Sequence, residues 1–143
     1  MESLLVSACL LGVPCKYSGG NNVLPDETLA RLRACYRLIP VCPEVAGGLP
    51  VPRDPGERRG DRVVSCLGCD LTAEYLLGAQ TALLLARRFG CSQALLKARS
   101  PSCGSGQIYD GSFTGRLIPG DGVTASLLKA NGIAVWVESS FFF

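Results

Sequence analysis

Short apolar runs alternate along this chain with longer amphipathic stretches, and the alternation predicts a β-α-β-α-β-α-β order. Leu4 to Ser7 is apolar and soon meets Gly12 and Pro14, which suits a buried strand. After Pro25 and Asp26, Leu29, Leu32 and Cys35 recur three residues apart, the spacing of one helical face. Leu38 to Cys42 reads as a second strand, stopped by Pro43, and Pro40 within it predicts an irregular start or an exposed edge. From Pro43 to Gly60 proline and glycine are dense, which predicts a long irregular loop of the kind that shapes a site. Asp70 or Thr72 is positioned to cap a long helix through Phe89. Its apolar stripe is Leu76, Ala79, Leu83 and Ala86, with Arg87 and Arg88 at the negative end and Gly90 as terminator. Gln93 to Lys97 reads as the third strand, Ser100 to Gly106 as a polar turn, and Asp110-Gly111 as the centre of a loop or hairpin. A last helix capped by Asp121 carries Leu127 and Leu128 and ends at Asn131-Gly132, and Ile133 to Val137 makes the fourth strand.

Strands separated by helices need crossover connections, which are right-handed almost without exception. The expected fold is therefore α/β: a single compact domain over residues 1–143, with a small parallel, Rossmann-like sheet covered by helices. A length of 143 residues, 48% of them hydrophobic, suits one domain with a real core. Fourteen basic residues against twelve acidic ones leave a net charge of +2, far from the balance of a nucleic-acid-binding domain, so no nucleic acid polymer is expected as partner. Glu2 stands where an export signal carries positive charge, and no run approaches the roughly 20 apolar residues that span a bilayer. The expectation is a cytoplasmic protein without a membrane partner. Phe141-Phe142-Phe143 suits either packing over the core or a subunit contact, which leaves a homodimer open.

Eight cysteines in a chain with long aliphatic segments point to reduced thiols instead of a disulfide scaffold. Histidine is absent, which removes the commonest acid/base catalyst and leaves thiolates as the soft metal ligands. Three polar motifs fall just after predicted strands: Ser7-Ala8-Cys9, Cys42-Pro43-Glu44 and Ser100-Pro101-Ser102-Cys103-Gly104. In an open parallel sheet the carboxyl ends of the strands lie along one edge, where ligands bind. Cys9, Cys42 and Cys103 are thus expected to meet at one metal site, whereas Cys35 and Cys91, beside apolar helices, are expected as small buried residues. Glu44 is the general acid/base candidate, with an exposed loop charge as the alternative, and Ser100 is either a proton relay or an ordinary turn residue. Cys66 and Cys69 precede the long helix, so either a lowered thiol pKa or an incidental pair is open. For an anionic substrate Lys16, Arg53 and the amides from Gly104 to Gly106 are binding candidates, although Arg53 to Arg62 also reads as a solvated stretch of mixed charge.

Val6-Ser7-Ala8-Cys9-Leu10-Leu11-Gly12, Cys15-x-Tyr17-x-Gly19-Gly20, Cys42-Pro43-Glu44, Gly47-Gly48-Leu49-Pro50, Pro52-Arg53, Ser100-Pro101-Ser102-Cys103-Gly104 and Tyr109-Asp110-Gly111 follow one another in order. Together they resemble a widespread bacterial family of formerly unknown function that includes the TudS-type thiouracil desulfidases. The resemblance implies a 4Fe-4S cluster held by Cys9, Cys42 and Cys103, with one iron not ligated by protein. It implies a catalytic glutamate and serine, matching Glu44 and Ser100, and Tyr109 joins the substrate-binding candidates. The implied reaction is a non-redox removal of sulfur from a thiolated pyrimidine, thiouracil or 4-thiouridine monophosphate, giving the uracil compound and sulfide. Gly68-Cys69-Asp70-Leu71-Thr72 departs from the family's Gly-x-Asp-Val-Thr stretch, in which the cysteines do not occur. Two rivals stand beside it: a metal-binding or iron- or oxygen-sensing module in which the same three cysteines hold zinc or a labile cluster, and a thiol oxidoreductase using Cys66 and Cys69.

Overall fold

The computed structural model describes residues 1–141, so the expectation for Phe142 and Phe143 lies outside the described residues. The elements follow in the order β1 (Glu2–Ser7), α1 (Asp26–Cys35), β2 (Tyr36–Val41), α2 (Pro43–Ala46), β3 (Gly56–Arg59), β4 (Arg62–Ser65), α3 (Thr72–Arg88), β5 (Gln93–Leu96), β6 (Gln107–Tyr109), β7 (Leu117–Pro119), α4 (Val123–Ala130) and β8 (Ala134–Val137), with a 3-10 turn over Ala8–Leu11. The main sheet has the order β2-β1-β5-β8, and every pairing in it is parallel. The expected four-stranded α/β fold is therefore the observed one. Pro40 sits on edge strand β2 and is exposed, where its missing N–H breaks no ladder on the open side. Among the described residues no helix is long and apolar enough to cross a membrane.

The sheet separates two apolar clusters. One joins Leu5, Ala94 and Leu96 to the inner faces of α3 and α4, and the other joins Leu4, Val6 and Leu95 to Leu10 and to Leu32 of α1. Phe141 packs on the second cluster, tilted against Tyr36 and edge-on to Trp136, in keeping with the packing alternative for this residue.

Several expectations need correction. The proline- and glycine-dense stretch after Cys42 is not wholly irregular: it holds α2, started by Pro43 in the first helical turn, and strand β3. Asp121 caps nothing. Its Oδ1 instead accepts the Gly106 N–H at 2.9 Å and an ion pair from Lys129 at 2.9 Å, while α4 begins after Gly122 without a side-chain cap. Cys91 is buried as expected, but Cys35 is exposed, because α1 turns only Leu29 and Leu32 inward.

The apolar stripe of α3 is also rotated from the expected one. Leu76 is 49% exposed, and Tyr75 and Gly78 are buried in its place. The cause is the approach of α2. A Cβ on Gly78 would stand 1.9 Å from the Pro43 carbonyl oxygen, and one on Gly47 would stand 1.9 Å from the Glu74 carbonyl oxygen. Two glycines thus let two backbones touch. In an exposed helix interior Gly→Ala stabilises by up to about 1 kcal/mol. Here Gly78→Ala should do the reverse, lowering stability by about 1–3 kcal/mol through overpacking. Calorimetric melting of the variant against wild type checks the sign.

Candidate functional site

Three chain segments leave neighbouring strands at the same sheet edge. After β1 comes the turn bearing Cys9, after β2 comes Cys42 at the start of α2, and beyond β5 lies the loop bearing Cys103. All three cysteines line one cavity of about 510 Å³, as do Glu44 and Ser100. The placement of strands in the sequence thus carried over into a shared wall.

Each thiol is held by its local structure. Ser7 Oγ at the end of β1 donates to Cys103 Sγ at 3.4 Å and accepts the Lys97 N–H at 2.9 Å, which ties the ends of β1 and β5 to the Cys103 loop. That loop is shaped from within, because Ser100 Oγ accepts the N–H groups of Ser102 and Cys103 at 3.1 and 3.0 Å. Two accepted bonds leave the Ser100 hydroxyl its own proton to donate. The buried Ser102 and Thr124 hydroxyls meet at 2.8 Å and dock the loop on α4. Cys42 Sγ, half-buried, lies 3.7 Å from the Cys15 carbonyl oxygen, and Cys15 adds a fourth thiol to the wall, itself buried.

Burial sets the acidity of Cys9, Cys15 and Cys103. It pushes the Cys103 thiol up to about 12, with the Ser7 hydrogen bond opposing it. Cys15 is likewise pushed up to about 12 by burial and then by its neighbour Cys42, and Cys9 is raised by burial against a hydrogen bond with Asn22. These thiols are protonated at neutral pH in this state, and metal binding would release their protons. Among the described residues no three Cys, Asp or Glu groups converge tightly enough to hold a single ion. A lone zinc would need its sulfurs drawn to about 2.3 Å from one point. An all-thiol set spread around a roomy cavity fits an iron–sulfur cluster, whose cysteine ligands bind at separate iron corners.

Glu44 lies in α2 with its side chain 20% exposed on the cavity wall. Its Oε1 accepts a hydrogen bond from the Tyr75 hydroxyl, and its Oε2 is 3.4 Å from Arg53 Nη2. The glycine contact between α2 and α3 brings Glu44 and Tyr75 together. Burial, followed by the Glu44 charge, raises the Tyr75 hydroxyl pKa and keeps it a donor. Arg53 is not the solvated residue that its charged surroundings suggested. Its side chain is 5% exposed, Nη2 also donates to the Cys15 carbonyl at 2.9 Å, Nη1 donates to the Pro50 carbonyl at 3.1 Å, and Nε is buried without a partner.

Among the other candidates, Lys16, Arg53 and Tyr109 line the cavity. Gly104 does not: its N–H donates to the Ser100 carbonyl at 2.8 Å, and the Gly106 N–H is taken by Asp121, so these amides are not free for an anion. Cys66 and Cys69 are exposed on the turn after β4 and do not line the cavity. Sequence reasoning missed Tyr75, Asn22 and Lys97. Tyr75 is embedded in a helical apolar stripe, and no local signal marks its hydroxyl. Asn22 and Lys97 reach the wall through a loop and a strand end whose partners are distant in sequence.

Comparison with known proteins agrees with this fold. A solved structure of a 4Fe-4S-dependent thiouracil desulfidase, TudS, superposes with a TM-score of 0.93 at 49% identity, covering 97% of this chain and 92% of that one. The protein YbbK of Bacillus subtilis (strain 168) is 39% identical over 146 residues, 95% of each chain. The model of the 2-thiouracil desulfurase family matches residues 4–140. With a match over nearly its whole length and the motifs gathered on one cavity, the chain belongs to the 2-thiouracil desulfurase family.

Proposed function

We propose that this protein is a 4Fe-4S-dependent desulfidase that hydrolyses the C=S bond of a thiolated pyrimidine, as free base or nucleotide, in the cytoplasm. The observation that carries the reading is the single cavity wall on which Cys9, Cys42, Cys103, Glu44 and Ser100 occur together. Cys9, Cys42 and Cys103 would hold the cluster. Three thiolates leave one of four irons without a protein ligand, and when bound the cluster supplies there a thiophilic Lewis acid that polarises C=S.

The remaining work falls to the chain's own residues. Glu44 takes a proton from the water that attacks the ring carbon. Each carboxylate oxygen accepts in two directions, so the bonds from Tyr75 and Arg53 leave a lone pair for this task. The Ser100 hydroxyl donates into the cavity and relays a proton toward the departing sulfur. Tyr75 and Arg53 fix the carboxylate, and Lys16 and Tyr109 on the wall contact the substrate. The balance is thiouracil plus water to uracil plus hydrogen sulfide, with no net electron transfer.

Anaerobic reconstitution with iron and sulfide should give about four irons per chain and a broad brown band near ~400 nm. Cys9→Ala, Cys42→Ala and Cys103→Ala should each weaken the band, and Cys66→Ala with Cys69→Ala should leave it unchanged. A band lost only on changing Cys66 and Cys69 would overturn the ligand assignment. Glu44→Gln should retain its iron and lose roughly 10²–10⁴-fold in kcat on 2-thiouracil. Tyr75→Phe, which keeps the ring and removes one hydrogen bond to Glu44, should lower kcat about 5- to 150-fold with iron content unchanged.

A further inference from the structure

Among the described residues two that are not glycine have left-handed backbone, Arg99 at φ 68° and Phe113 at φ 59°. Both line the cavity. A bulky L-residue is disfavoured there by contact between its Cβ and its own backbone, and such strain persists where the surroundings over-determine it, commonly at functional sites. The loop has glycine at 111 and 115, with φ of 93° and 79°; at 111 a Cβ would also press on Arg59, whereas at 115 it would meet open space. At 113 it carries a large aromatic side chain instead.

The strained conformation is held from outside the loop. Glu57 of β3 is buried, at 8% exposure, and its Oε1 accepts the N–H groups of Gly111 and Phe113 at 3.0 and 3.1 Å. Arg59 Nε donates to the Gly111 carbonyl at 2.8 Å, so two residues of β3 hold the loop at Gly111 and Phe113. Within the loop, Asp110 Oδ1 accepts from Ser112 N at 2.9 Å and from Ser112 Oγ at 2.5 Å. Phe113 itself belongs to neither apolar cluster of the core, and it makes no ring–ring contact among the described residues. A half-buried ring on a cavity wall, outside the core and held in an unfavourable backbone, is placed for a ligand.

We infer that Phe113 is the platform on which the pyrimidine ring of the substrate stacks, with Glu57 as the positioning residue that keeps it there. A flat heteroaromatic ring is the ligand class that an aromatic face recognises, independently of the ring's substituents. The inference rests on the proposed desulfidase reading and adds the residue that orients the base.

The test uses reconstituted holoprotein, with KM and kcat for 2-thiouracil and the calorimetric Kd of uracil. Loss of one base–aromatic stack corresponds to an affinity loss of about 5- to 150-fold. Phe113→Ala and Phe113→Gly should both show that loss in uracil Kd and in KM, with kcat changed less than about 3-fold, and Phe113→Tyr and Phe113→Trp should stay near wild type. Thermal melting supplies the backbone control: Phe113→Gly should melt above Phe113→Ala, the reverse of the order at an ordinary backbone position. Wild-type turnover with unaltered KM and uracil Kd in Phe113→Ala would overturn the stacking role alone. Equal loss in all four variants would reduce Phe113 to a structural residue. No turnover by iron-replete wild type would instead overturn the desulfidase reading, and this inference with it.

Discussion

Parallel pairing of β1 with β2 on one side and β5 on the other is the constraint from which the site follows. Glu2 to Ser7 run in register with Tyr36 to Val41, and Leu4 to Val6 with Gln93 to Leu95. Adjacent strands lie about 4.8 Å apart, so three segments leaving one edge begin within roughly 10 Å of one another. A thiol soon after each strand is then presented to a common space, whatever its separation in sequence. Antiparallel pairing at either position would send one of these cysteines to the far edge.

The same edge must be closed, since strand ends expose backbone groups and the cavity would otherwise be open solvent. Two hairpins and the short helix α2 do this. The hairpin of β3 and β4 reaches that of β6 and β7 through Glu57 and Arg59, and it reaches the Asp121 carbonyl through Arg58 at 2.6 Å. Residues that look like a solvated charge run are thus fasteners between loops. Closure has an electrostatic consequence: it desolvates the Cys9, Cys15 and Cys103 thiols and raises their pKa values, and it sharpens the interaction of Glu44 with Arg53 and Tyr75. A resident cluster would replace thiol protons with iron, so burial that disfavours free thiolates is compatible with metal-bound ones.

Positioning of the carboxylate depends on steric absence. Gly47 and Gly78 allow α2 to lie directly on α3, and this places Glu44 against the Tyr75 hydroxyl. Two residues without side chains therefore govern the environment of a residue with one. Strain at Phe113 shows the complementary device, an unfavourable backbone held by a buried carboxylate from another hairpin.

The sequence by itself determined the four sheet strands, the three longer helices and their order, because each is announced by local periodicity and by proline or glycine punctuation. It also singled out Cys9, Cys42 and Cys103, since strand ends in an alternating α/β pattern have a known common edge. Only the tertiary structure decided the rest. The exposure of Cys35 and Leu76 depends on which helix face meets a neighbour, and the burial of Arg53 depends on carbonyls at Pro50 and Cys15. The consumption of the Gly104 amide by the Ser100 carbonyl follows from the closed geometry of the loop. Tyr75 beside Glu44 and Phe113 on the cavity wall join groups separated widely in the chain. Local pattern records a residue's own preference for a backbone state or for burial, whereas these placements are set by partners that reach it only once the chain has folded.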